Sequence, residues 1–391
     1  MPLTFLHAHA AHADGLQALA RAIAQLRRDA SAHAEFEPTL GFLYFSDHLA
    51  AQAEALLDAL QAAWPGVSVT GGVGVGVAAS GVEYFDVPGV ALMLCDLPRA
   101  SFTLFNGRAP LTRDDAWAAL VHADPATHEL PALIGELSER LQSRYLFGGL
   151  ASSRARTLTL ADGVFEGGLS GVAFSADVAL VSRVTQGCQP IGKARRVTRA
   201  ERNLVLELDG EAALPLLLRE LKVDLNDAPR AVAALRRTLV GLTDEGDLAL
   251  ARGGQFGADT RVRHLIGVDP NRQAVAIAET AEQGSQLAFC ARDVEAARRD
   301  LVRICSEVRE EAESSVAIAG NESVPAPRRI AGAIYVSCTG RGGAHFGAPS
   351  AELQTVRRAL GDVPLVGFYA AGEIARHHLY GYTGVLTAFL D

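Results

Sequence analysis

The chain is short of what several functions require. Its 391 residues hold five cysteines, two methionines and two tryptophans, and aromatics make up only 6%. Sparse aromatics leave few platforms for stacking bases. Positive charge is also in deficit: 36 Lys and Arg face 45 Asp and Glu, a net charge of −9. A nucleic acid or an anionic membrane surface calls for a basic face, so neither is expected as a partner. Cys95, Cys188, Cys290, Cys305 and Cys338 are odd in number and widely spaced, with no CxxC. That excludes a disulfide framework and a cysteine-based zinc site, and fits a reducing compartment. The longest uncharged stretch, residues 59–82, is broken by Pro65 and by glycines, so it reads as helix end, strand and turn. No membrane insertion is expected. Met1–Asp14 carries no Lys or Arg, and no signal peptide is expected there. A cytoplasmic protein is the consequence.

Catalytic signatures are missing too. There is no GK[ST], hence no P-loop, and no GxSxG elbow. Gly72-Val73-Gly74-Val75-Gly76 invites a nucleotide reading, but a strand follows it where the dinucleotide fingerprint needs a helix. Close packing of strands explains these glycines better. His7, His9 and His12 have no acidic or cysteine ligand at tight spacing and read as exposed. No metal and no cofactor are expected.

What the chain does have is repetition. Gly41–Ser46 resembles Gly332–Ser337 at an offset of 291, and Val67–Gly71 resembles Val363–Gly367 at 296. Gly89-Val90 resembles Gly384-Val385 at 295. Each copy reads as strand, helix, strand, turn, strand. The helix of the first carries Leu49, Ala53, Leu56, Leu57, Leu60 and Trp64 on one face and ends at Pro65-Gly66. Ser350 is the expected cap of the last copy's helix. A weaker copy runs through Leu130–Gln142, Tyr145–Gly149 and Gly171–Phe174, and a fourth is suggested by Ala231–Leu239, Val262–Gly267 and Ala274–Ile277. The expected fold is α/β, two domains built from duplicated strand-helix-strand-turn-strand units with mixed sheets. The boundary is placed at Asp209-Gly210, giving domains 1–210 and 211–391. Glu310–Pro327, polar with two prolines, reads as a surface loop.

The last copy adds polar residues to its turns. Cys338 ends a strand and opens the turn Thr339-Gly340-Arg341-Gly342-Gly343. An arginine and several amides beside a thiol point to a lowered pKa; an inert small residue at a tight turn is the alternative. In Tyr369–Glu373, Glu373 stands where the first copy has Val77. If the strands before these turns are neighbours, Arg341 can hold a carboxylate through two parallel N–H bonds and Glu373 an amine. Gly342 and Gly372 let a ligand approach the backbone, and Tyr369 or Phe346 covers it. The ligand-binding set is therefore Cys338, Arg341, Gly342, Phe346, Tyr369, Gly372 and Glu373, at one main site. The bland alternative is that Arg341 and Glu373 pair with each other or with solvent.

Four segments, Tyr145–Ser152 (YLFGGLAS), Val184–Gly192 (VTQGCQPIG), Val336–Gly342 (VSCTGRG) and Pro364–Ile374 (PLVGFYAAGEI), resemble the signature segments of the FIST family (F-box and intracellular signal transduction). The resemblance runs from about residue 38 onward and covers N-terminal and C-terminal FIST domains. It implies a cytoplasmic sensory module that binds a small polar metabolite, an amino acid among the candidates. No kinase, cyclase or receiver domain and no F-box is evident, which implies output through a signalling partner protein. The competing readings are an enzyme, a hydrolase or transferase with Cys338 as nucleophile, and an interaction scaffold.

Overall fold

The computed structural model describes residues 3–112, 115–245, 256, 260–314, 316–319, 322–325 and 327–391. The chain divides into two compact units, Met1–Thr185 with Arg298–Asp391, and Gln186–Ala297.

The first unit contains the expected copies, and there are three. The first is Leu40–Ser46, helix Ala53–Ala63, Ser68–Gly74, a hairpin of Gly76–Ala79 and Val82–Phe85, then Gly89–Cys95. The second is Ala116–Ala123, helix Leu130–Glu139, Tyr145–Leu150, a hairpin of Thr159–Ala161 and Val164–Phe165, then Leu169–Ser175. The third is Ile330–Cys338, helix Ala351–Leu360, Leu365–Ala370, a hairpin of Glu373–Arg376 and His378–Tyr380, then Thr383–Leu390. In each, a helical crossover joins two parallel strands, and the last strand lies antiparallel to the first. These are mixed α/β sheets of repeated units, as the sequence predicts.

No copy keeps its own hairpin. The first copy's hairpin pairs with the third copy's second strand (Val366 opposite Ala79). The third copy's pairs with the second copy (Ile374 opposite Gly148), and the second copy's with the first (Leu160 opposite Gly71). The exchange is cyclic and yields three six-stranded sheets of equivalent strand order. The outer edge of each is a strand that precedes the copy: Phe5–Ala11, Phe102–Phe105 or Leu180–Gln186.

The faces turned away from the helices share one core, to which Phe42, Tyr44, Phe147, Phe174, Phe368 and Phe389 belong. Within it the Tyr44 hydroxyl and His122 Nε2 are hydrogen-bonded at 3.0 Å, and Tyr44 stacks on Phe368 at 5.2 Å. Burial drives the His122 pKa down to about 3, so the ring is neutral.

Strand pairing fixes the register of the repeat. Gly71, Gly148 and Gly367 lie opposite Leu43, Val121 and Tyr335. A Cβ on them would sit 1.9, 2.0 and 1.7 Å from the carbonyl oxygens of those residues, so only glycine fits. Gly71 and Gly367 are thus equivalent, as expected. Tyr335, however, corresponds to Leu43, an offset of 335 − 43 = 292, and not to Tyr44. Tyr44 faces the shared core while Tyr335 faces its own copy's helix. By the same criterion Val385, in the shared core, matches Ala91 and not Val90, which packs on the helix side. A slip of one residue turns every side chain to the opposite face, which an apolar strand buried on both faces does not reveal in sequence.

The second unit is not a fourth copy. Strands Arg195–Glu201, Leu204–Leu208, Ala274–Ile277, Arg261–Asp269, Thr238–Thr243 and Gln286–Arg292 pair antiparallel in that order, and the last closes on the first. The result is a six-stranded ring with Leu214, Leu216 and Leu217 of helix Ala213–Leu221 in its core cluster. A helix followed by apolar strands matched the repeat locally, but among the described residues the strands of this ring pair only antiparallel. Asp209-Gly210 falls inside this unit. Both residues have positive φ (51° and 81°) and turn Leu204–Leu208 back onto Glu211–Ala212. Asp-Gly here is a hairpin turn. Within 310–327, read as a loop, the described residues are the end of helix Val294–Glu313, Ser314, strand Val316–Ala319 paired antiparallel with Glu322–Pro325, and Pro327.

These contacts predict opposite outcomes for two glycines. Gly71→Ala meets the Leu43 carbonyl at positive φ and should lose at least about 2 kcal/mol. Gly135→Ala, in open space within helix Leu130–Glu139, should gain up to about 1 kcal/mol. Urea melts of both variants check this; equal midpoints would refute the register.

Candidate functional site

The third copy's parallel strands end side by side, with Ser337 opposite Tyr369 and Cys338 opposite Ala370. Strand ends of this kind expose backbone amides and carry functional residues in α/β sheets. The condition set by the sequence, that the two turns be neighbours, is therefore met.

Arg341 closes the short 3-10 turn Thr339–Arg341, and its side chain is 1% exposed. Its Nε donates to Glu352 Oε1 at 2.8 Å, and Nη2 lies 2.7 Å from the same oxygen. The Tyr335 hydroxyl donates to that oxygen at 2.8 Å, and Ser337 donates to Oε2 at 3.0 Å. The guanidinium carbon sits 5.1 Å over the Phe346 ring. Burial works against the charge, but Glu352 outweighs it and holds Arg341 above its usual pKa. Nη1 has no hydrogen-bond partner among the described residues.

A second carboxylate arrives on the first copy's hairpin. Glu83 accepts from the Tyr369 hydroxyl and, at 2.8 Å, from the Ser350 amide. Its own amide donates to Ser350 Oγ at 3.0 Å. Ser350 is thus held by Glu83 and makes no side-chain cap on its helix. Burial raises the Glu83 pKa. Phe85 meets Tyr369 edge-on at 5.0 Å, and a Cβ on Gly342 would lie 2.1 Å from the Phe85 ring. Gly342 is accordingly required by packing.

Glu373 begins the hairpin strand that pairs with the second copy, opposite Gly149, and is fully buried. Its Oε2 accepts from the Thr383 amide at 3.1 Å and hydroxyl at 2.6 Å. Its Oε1 has no partner among the described residues. Burial lifts its pKa to about 8, opposed by Thr383, Arg341 and Cys338. The Cys338 thiol is pushed up to about 12, first by burial and then by Glu373. The lowered thiol pKa expected from Arg341 is overturned: removal from water and a nearby carboxyl outweigh the cation. Gly372 is close-packed, with its carbonyl accepting from the Leu150 amide at 2.8 Å.

The structure therefore gathers Cys338, Arg341, Gly342, Phe346, Tyr369 and Gly372 at or just beyond the carboxyl ends of the third copy's parallel strands, with Glu373 next to them on the hairpin that joins the second sheet. Arg341 pairs neither with Glu373 nor with solvent, but with Glu352. Sequence reasoning missed Glu352 and Glu83. The first lies in the opening turn of a helix, where an acid ordinarily meets solvent, and the second follows a long uncharged stretch, the only signal that marked it. His7 and His9 are half-buried, not exposed; His9 Nδ1 bonds the Tyr84 hydroxyl at 2.7 Å, and burial lowers His7 to about 4. Among the described residues no three metal-binding side chains cluster, and no helix is long and apolar enough to cross a membrane.

The raised Glu373 pKa has a definite sign in stability. The folded protein keeps this proton up to about pH 8, whereas the unfolded chain releases it near 4.5. Stability from this group is thus lost as pH rises between those values. Glu373→Gln should gain on the wild type from pH 5 to pH 9 in matched urea melts. A difference that does not change with pH would contradict it.

Two family profiles match the chain: the FIST N domain over residues 39–211 and the FIST C domain over 213–376. An uncharacterized protein of Mycobacterium tuberculosis is 33% identical over 387 residues, covering 93% of this chain and 95% of its own. One of Mycobacterium bovis is 31% identical over 397 residues, covering 97% and 96%. Reading an F-box into the family's name is wrong, since the matched regions are the FIST N and FIST C domains themselves. FIST domains are generally sensory and signal-transduction domains. With both domains matched in order, the chain belongs to the FIST family.

Proposed function

We propose that this protein is a cytoplasmic sensor that binds a small polar metabolite, an amino acid being the best-fitting class, between Arg341 and Glu373, and passes the signal to a partner protein. The observation that carries this reading is a pair of unmet valences. Arg341 and Glu373 are 1% and 0% exposed, and each keeps a polar atom, Nη1 and Oε1, without a partner among the described residues. An unsatisfied buried polar atom costs about 1–3 kcal/mol, more when charged. A molecule with an anionic and a cationic end supplies both missing bonds. Phe346 lies against the guanidinium, and Glu352 keeps it charged and oriented. Cys338 beside them is a protonated thiol, the opposite of an activated nucleophile.

A thermal-shift screen with amino acids and related metabolites tests the reading. A ligand at 100 times its Kd adds about 2.7 kcal/mol of stability. Calorimetry on Arg341→Lys, which keeps the charge that Glu352 needs but loses the planar fork, and on Glu373→Gln should then show weakened binding in both. Unchanged affinity in the two folded variants would place the ligand elsewhere, and a screen without any shift would end the sensor reading.

A further inference from the structure

The pseudo-threefold arrangement creates the same cleft at the opposite, amino-terminal ends of the parallel strands, where each copy meets the edge strand of the next sheet. In the first copy Arg99, just before edge strand Phe102–Phe105, reaches across this place and donates to the Gly66 carbonyl at 2.7 Å. In the second a small cleft of about 240 Å³ remains, with Trp117 and Tyr145 on one side and Ser182 and Arg183 on the other. In the third it opens to about 590 Å³, between Ile330-Ala331 and Val363-Pro364 at the strand starts and Leu3–Leu6 of the first sheet's edge. That volume is within the range of small-molecule sites.

Its lining is unusual for a chain of net charge −9. Arg309, Arg328 and Arg329 all border it. The acids nearby are engaged: Asp362 by Arg357 at 2.7 and 3.3 Å, Asp391 by Arg329 at 3.1 Å, and Glu313 by Arg309 at 3.5 Å. Arg328 is exposed and makes no ion pair among the described residues. One guanidinium is thus unmatched, beside an apolar wall formed by Leu3, Leu360 and Pro364.

We propose that this cleft is a second ligand site, for an amphipathic monocarboxylate. Arg328 takes the carboxylate through its planar fork, and the hydrocarbon part lies on Leu3, Leu360 and Pro364. One spare positive charge suits one negative charge. Strand Ile330–Cys338 has this cleft at its start and Cys338 at its end, roughly 26 Å away at about 3.3 Å per residue, so the site is distinct from that at Arg341 and Glu373.

Titration calorimetry with octanoate, using octanol and acetate as controls, tests it. Octanoate should bind saturably at one site, and each control at least about tenfold more weakly, because each lacks one half of the recognition. Arg328→Ala, an exposed position, should weaken octanoate about tenfold, the loss of one charge-assisted contact. Glu373→Gln should leave octanoate binding unchanged, which separates the two sites. The proposal is overturned if octanoate shows no saturable binding, if octanol equals it, if Arg328→Ala binds as the wild type does, or if Glu373→Gln weakens it.

Discussion

A pair of parallel strands leaves the second strand with an open hydrogen-bonding edge, and each copy of this repeat closes that edge with a hairpin from another copy. Everything around the candidate site depends on this. An open edge invites aggregation, so the hairpin must be supplied, and by cyclic exchange no sheet keeps its second strand uncovered. The exchange also brings charges to places their own copy does not reach. Glu83 reaches Tyr369 and Ser350 only because the first copy's hairpin belongs to the third sheet. Glu373 is anchored against Gly149 because the third copy's hairpin belongs to the second.

The price of burying charge there is met by geometry. Glu352 has both oxygens occupied, by Arg341, Tyr335 and Ser337. In a medium from which water is excluded, such a pair survives only when its remaining valences are satisfied, and removing one member typically costs about 3–5 kcal/mol. Glu373 takes the other course and holds its proton. The two acids thus reach neutrality by different means, one through a cation and one through protonation.

Much of the fold was legible. Helical spacing and glycine-rich strand ends give the first, second and third copies, because both are local signals. Register was not legible to the residue: Tyr44 and Tyr335 look alike in sequence, and only the face each occupies separates them. The hairpin exchange left no trace, since pairing between distant residues has no local signature. Asp209-Gly210, read as a junction, makes a local hairpin turn, while the matched FIST N and FIST C regions meet close by, at 211 and 213. At the site, Arg341 and Glu373 stood out as charges set in apolar, glycine-rich turns. Glu352 and Glu83 did not, because an acid in a helix's first turn or beside a hairpin is ordinarily solvated.

The exchange also sets an order of assembly. Ala79 and Val366 are neighbours in space but 366 − 79 = 287 residues apart in the chain. At a synthesis rate of about 5–20 residues per second, roughly 15 to 60 s pass between the emergence of the first hairpin and that of its destination. Throughout that interval Gly76–Phe85 has no sheet to join. The second copy's hairpin can close the first sheet early, since Leu160 follows Gly71 by 89 residues (160 − 71). The nascent protein therefore waits with one hairpin unplaced and one edge uncovered until its last hundred residues arrive, a delay that links its solubility to the speed of the ribosome.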